Sequence, residues 1–184
     1  MMSKKMNAAL VCVVGLLSML LIPTVLANKP EFVEGTLVYT PFPVVPTPPF
    51  GAKITGNNIF LDTYEEGDWT GDIVGHSDDD PCLVVIHGPE GVWPKLTGFD
   101  FKKYTGIATF VVCTIDTKTG GLVMQMHGKC SGPGEEWDGQ WVILKGTGGL
   151  EGVHGQGTWW GLGAPGLGKS GTINYQGWVH FDPS

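Results

Sequence analysis

The pattern with the most chemical meaning is Gly163-Ala164-Pro165-Gly166-Leu167-Gly168-Lys169-Ser170, which fits G-x-x-x-x-G-K-[ST]. In that loop, backbone amides and the dipole of a following helix hold nucleotide phosphates, so a strand must precede it and a helix must follow. Here Thr172-Ile173-Asn174-Tyr175-Gln176-Gly177-Trp178 follows and reads as a strand, with no room downstream for an acidic magnesium ligand. A glycine-rich hairpin loop is expected, and no nucleotide. His76, Asp78, Asp79 and Asp80 gather in one acidic stretch, but without the alternating ligand spacing of a calcium loop. Cys82 with His87, and His127 with Cys130, have the residue types of zinc ligands. Offsets of five and three put each pair on opposite faces of a regular strand. No metal and no cofactor are expected.

Catalytic patterns are equally thin. There is no G-x-S-x-G elbow, and Ser77, Ser131 and Ser170 sit beside turn residues. His154 and His180 fall on outward-reading faces. The carboxylate pairs Glu65 with Asp68, and Glu135 with Glu136, read as turns where charge is expected anyway. Cys82, Cys113 and Cys130 leave an odd count. A hairpin around residues 117–120 sets Cys113 against Met124, which leaves Cys130 about 20 Å along the strand. Disulfides need Cα atoms within about 7 Å, so Cys82 is expected to pair with Cys130 or Cys113.

The elements that would hold these residues are strands. After residue 27, glycine supplies 28 positions and proline 12, which interrupts any long helix. Runs rich in Val, Ile, Thr and aromatics predict strands at Phe32–Tyr39, Asn58–Tyr64, Trp69–His76, Cys82–His87, Tyr104–Asp116, Gly121–Cys130, Trp137–Lys145, Leu150–Trp160 and Gly171–Phe181. Short links favour antiparallel neighbours and a sandwich or barrel. Pro41–Phe50, with five prolines, is expected to be a stiff connector. Alternation puts Trp137, Trp141 and Ile143 on one face, Tyr175, Val179 and Phe181 on another such face, and Met124 and Met126 with Leu122. Gln125, Gln140 and Asn174 look outward, as do Trp160 and Trp178.

Two ends of the composition bound the setting. Lys4 and Lys5 precede an uncharged run over residues 8–27 that closes on Val25-Leu26-Ala27. That layout predicts a secretory signal peptide over 1–27 and an exported protein, with a membrane anchor through residues 8–27 as the alternative. Residues 28–184 are expected to form one domain. This part carries all 18 acidic residues and nine lysines, and the chain has no arginine. Such a surface argues against nucleic acid, where cationic contacts to phosphate supply most of the affinity.

Gly146-Thr147-Gly148-Gly149-Leu150-Glu151-Gly152-Val153-His154-Gly155-Gln156-Gly157 resembles the G-T-G-x-L-x-G-x-x-G-x-G segment of allene-oxide-cyclase-barrel proteins. It is most similar to the bacterial DUF3224 group and more distantly to dirigent proteins. Trp69-Thr70-Gly71-Asp72-Ile73-Val74-Gly75 resembles that group's early T-G-D-x-x-G strand, and Leu122-Val123-Met124-Gln125 with Gly128 its central strand. The order and spacing match from about residue 32 to 182. The chain departs from the group at Pro41–Phe50 and over Pro81–Lys103, and no catalytic residue of the cyclases maps onto it. The resemblance implies an eight-stranded antiparallel barrel with an available interior or end. Gly146, Thr147, Gly148 and Gly152 are expected to be structural, supplying tight turns and positive φ.

The expected fold is thus all-β, a small closed antiparallel barrel of about eight strands. The expected role is non-catalytic binding of a small apolar ligand, lined by Met124, Met126, Trp141, Ile143, Trp159, Tyr175 and Phe181. A packed interior is the competing expectation. One alternative is a cyclase- or dirigent-like isomerase, which would need Gln125, Gln140 or Asn174 to face inward. Another is a surface or structural protein, homo-oligomeric through Trp160, Trp178 and the Pro-rich segment.

Overall fold

Two-residue alternation of buried and exposed side chains recurs in strand after strand of the second half of the chain. The last strand reads buried at Ile173, Tyr175 and Gly177 and exposed at Asn174, Gln176 and Trp178. A sheet with one such face must cover it, and with every strand antiparallel the sheet does so by closing on itself. The computed structural model describes residues 29–44, 51–87, 106–130, 136–164 and 168–182. The signal-peptide and anchor readings of residues 1–27 lie outside these, as do residues 45–50 of the Pro-rich segment, Tyr104, Ser131 and Glu135.

The strands are β1 (Glu31–Pro43), β2 (Lys53–Thr55), β3 (Asn58–Gly71), β4 (Gly75–His87), β5 (Gly106–Thr117), β6 (Gly121–Cys130), β7 (Trp137–Gly146), β8 (Val153–Leu162) and β9 (Gly171–Phe181). Sequential antiparallel hairpins join β3 through β9. Strand β1 then pairs with β9 on one side and β3 on the other, which closes an eight-stranded barrel. The short β2 only flanks the start of β3.

Three expectations are corrected. Trp69–His76 is not a separate strand but the tip of the β3–β4 hairpin. Gly71 at φ +101° begins the turn, and the backbone is irregular over Asp72–Val74. The acidic stretch is not a solvated loop but part of β4, because Asp79 takes φ +54° and inserts one extra residue as a bulge. Aspartate tolerates that left-handed conformation better than most residues. Pro41–Pro43 continue β1 instead of leaving the sheet. Their register is with β3 alone, since the β9 pairing stops at Tyr39, and a proline is admissible on such a one-sided edge.

The interior is filled by a size-alternating rule. The Trp141 indole lies against Gly157 and Gly177, where an added Cβ would come within 2.5 Å and 2.4 Å of the ring. Trp159 lies against Gly128 and Gly139 in the same way, at 2.1 Å and 2.3 Å. Inward glycines on neighbouring strands are therefore the seats of inward aromatics, which accounts for much of the glycine in β6–β9.

The lower end of the barrel, at residues 72–74, 118–120 and 147–152, is tied by hydrogen bonds. Tyr175 Oη accepts from Ile73 N at 3.0 Å and donates toward Thr70 O and Ile73 O, pinning the β3–β4 turn. Tyr175→Phe is expected to cost about 1–3 kcal/mol. It should also speed hydrogen exchange at the Ile73 amide, as read by NMR. The Gly146–Gly152 segment docks on the β5–β6 turn: Thr147 N donates to Gly121 O at 2.9 Å, and Gly149 N to Thr119 O at 2.8 Å. Gly148 and Gly152 have φ of +63° and +75°, so these residues act as a turn.

Candidate functional site

The upper end is built differently. Strand β3 turns its odd residues inward, and the series Ile59, Leu61, Thr63 is continued by Glu65. A half-buried carboxyl is thereby carried toward a mainly apolar interior. Opposite it, the β4 bulge shifts the parity of the strand, so that Ser77 and Asp80 both face in. The bulge interrupts the β4–β5 ladder, and the Asp80 carboxylate accepts the Thr114 N–H at 2.7 Å. The Ser77 hydroxyl and Cys113 thiol also donate to Asp80. Asp80 is therefore buried but satisfied.

Glu65 is not satisfied in that way. Among the described residues its hydrogen-bonding partner is the Cys82 thiol, a weak donor. Cys82 Sγ in turn lies 3.1 Å from Thr109 Oγ1. Burial pushes the Glu65 carboxyl up to about 7, and the nearby Asp80 charge adds to this, while the thiol bond works against it. Burial likewise raises the Tyr39 phenol, the Cys82 and Cys113 thiols and, with opposing hydrogen bonds, the Asp80 carboxyl. Glu65 thus titrates higher in the folded protein than in the unfolded chain. The folded state binds the extra proton between about pH 4.5 and 7, so stability falls as pH rises through that window. The Glu65 contribution to the drop is expected to be roughly 3 kcal/mol, so Glu65→Gln should remove most of it and leave the smaller part due to Asp80. Urea unfolding at a series of pH values reads it.

Glu65 borders a cavity of about 60 Å³ lined by Leu37, Tyr39, Pro41, Leu61, Glu65, Val84, Thr109, Val111, Met126, Trp137, Trp159, Ala164 and Ile173. That space holds several waters, at roughly 10–15 Å³ each. Tyr39 Oη accepts the Ala164 N–H at 3.2 Å, which ties Ala164, just past β8, to the cavity wall. Trp137 and Trp159 stack with centroids 6.5 Å apart.

Of the residues expected to line a cavity, Met126 and Trp159 do so. Ile143 and Phe181 border a second hollow, more open to solvent, at the lower end with Ile73 and Leu122. Met124, Trp141 and Tyr175 are buried and line neither of these hollows. Gln125, Gln140 and Asn174 face solvent. Tyr39 and Glu65 do face the cavity; Tyr39 belongs to no motif, and Glu65 reads from sequence as a turn carboxylate beside Asp68, its inward direction visible only if β3 runs past Tyr64.

Other singled-out residues are scattered. His87 and His127 are exposed, while Cys82 and Cys130 are buried, so each pair splits across the sheet. His154 and His180 stack outside at 5.5 Å, with His154 Nε2 3.1 Å from Asp182 Oδ2. Lys169 is exposed in the β8–β9 loop, where Gly168 N donates to Pro41 O at 2.7 Å and strand β9 follows. No disulfide joins Cys82 to Cys113 or Cys130. Cys82 pairs with Val111, so Cys113 is one rung off along the diagonal, at about 7–8 Å between Cα atoms. Cys130 pairs with Ile107, a further strand away and four residues from Met126.

No family model and no curated protein matches the chain. Among solved structures, a pterocarpan synthase dirigent protein aligns with 86% of this chain and 99% of that chain, at 13% identity and a TM-score of 0.29. The closed eight-stranded barrel is the architecture that the sequence resemblance implies.

Proposed function

We propose that the protein is an exported, allene-oxide-cyclase-like barrel that binds a small, mainly apolar guest in the upper cavity. The observation that carries this is the cavity itself: aliphatic and aromatic walls around one poorly partnered carboxyl. Pockets of that make-up, apolar with a few placed polar groups, are the usual form of small-molecule sites. The resemblance of Gly146–Gly157 to the DUF3224 group supports the barrel reading. Titration with 1-butanol, followed by amide and methyl NMR, tests it. Saturable shifts should centre on Val84, Thr109, Val111 and Met126, and Val84→Phe, which fills the space, should abolish them. Shifts confined to the outer face, or none that saturate, would overturn the proposal.

A catalytic reading is favoured by one observation. A cyclase- or dirigent-like enzyme needs an inward polar group, and Glu65 supplies it where Gln125, Gln140 and Asn174 do not. A carboxyl poised near 7 is suited to proton transfer at neutral pH. Turnover that follows the Glu65 protonation state and is lost in Glu65→Gln would establish this reading over simple binding.

A further inference from the structure

The charges inside the barrel are of one sign. Glu65 comes from β3 and Asp80 from β4. Among the described residues, the other titratable groups acting on them are Tyr39 of β1, Asp78 and Cys82 of β4 and Cys113 of β5, each neutral or anionic. Among the described residues no lysine or histidine lines the cavity, and the chain has no arginine. A buried carboxylate with only a thiol donor is costly unless a cation joins it or a proton neutralises it. The described residues offer the proton alone. Meanwhile the same cavity is walled by Tyr39, Trp137 and Trp159. Aromatic faces attract organic cations through their quadrupoles, most strongly when water is excluded.

We propose that the cavity selects a small organic ammonium ion, with Glu65 as its counter-charge and Tyr39, Trp137 and Trp159 as its walls. This rests on the reading that the cavity takes a guest at all, and it names the chemical class. Carboxylates and phosphate esters are rejected, because each would add an anion beside Glu65 and Asp80. A neutral guest is tolerated but leaves the carboxylate unpaired. The cavity of about 60 Å³ limits the guest to a handful of non-hydrogen atoms.

The test compares n-butylamine, 1-butanol and butyrate, similar in shape and different in charge, by NMR titration of the protein. At about pH 8.5 the amine is protonated and Glu65 ionised. There butylammonium should bind at least about tenfold tighter than 1-butanol, and butyrate should not bind. At about pH 5.5 Glu65 is protonated, and the preference should shrink to roughly threefold or less. Glu65→Gln should erase it at the higher pH while leaving 1-butanol binding in place. Trp137→Leu, which keeps the carboxyl, should weaken butylammonium several-fold more than 1-butanol. If 1-butanol binds as tightly as butylammonium at the higher pH, or if Glu65→Gln keeps the preference, the ammonium proposal falls and the binding site stands. If none of the three binds, the cavity reading falls and takes this proposal with it.

Discussion

Trp141→Ala is expected to lower the unfolding free energy by about 3–5 kcal/mol, a large share of the 5–15 kcal/mol typical of a domain. The indole is 2% exposed. Its Nε1 donates to both Thr158 O at 3.2 Å and Gln176 O at 3.1 Å, bridging β8 and β9 from inside. Two effects therefore add. Removing the ring opens a void, and it strips a donor from two inward-leaning carbonyls. The void cannot close by side-chain rearrangement, because the residues beneath the ring are Gly157 and Gly177, which have no side chains to move. Circular dichroism during urea unfolding reads the loss without interference from the other six tryptophans. A cost under about 1 kcal/mol would mean the ring does not occupy the barrel interior.

Gly128→Ala is the second large effect, about 1–3 kcal/mol from overpacking. The new methyl would sit 2.1 Å from Trp159 Cζ2, 2.4 Å from Cη2 and 2.9 Å from Asp138 O. The two nearest atoms belong to one side chain, so the strain should be relieved when that side chain is shortened. In a Trp159→Leu background the same substitution should cost roughly 1 kcal/mol less, a coupling that a double-mutant cycle measures directly. Trp159 also walls the cavity, so the single variant should weaken guest binding as the ring is pushed inward. Additive costs in the cycle would contradict the seating of Trp159 on Gly128.

These two predictions show what kind of information the sequence carried. Strands β6 to β9 were legible because their alternation is regular apart from one irregularity at Leu144–Lys145, and their turns contain glycine. The Cys113–Met124 register followed from one hairpin. The region from residue 58 to 87 was legible only in part. Reading it as three short strands followed from treating Glu65–Asp68 and Asp78–Asp80 as turn composition. The chain instead carries these charges through two long strands, with Glu65 inward, Glu66 opposite the β4 bulge and Asp68 paired with His76. Acidic residues in strands contradict propensity, and tertiary context overrides it here. Asp80 could not have been placed from sequence, since its inward direction depends on a single-residue bulge at Asp79 that flips parity. The cavity was equally hidden. The large inward residues named from alternation mostly fill the lower and middle barrel, whereas the open space lies where Leu61, Val84, Thr109 and Val111 replace aromatics.

The account depends most on Glu65 standing inside the apolar upper barrel, and the titration of its carboxyl carbon by ¹³C NMR tests that directly. The resonance is assigned by its disappearance in Glu65→Gln. A midpoint near 7 is predicted, well above the ordinary glutamate value of about 4.3. A midpoint between about 4 and 5 would show the carboxyl in water, and would contradict the β3 register and the site built on it.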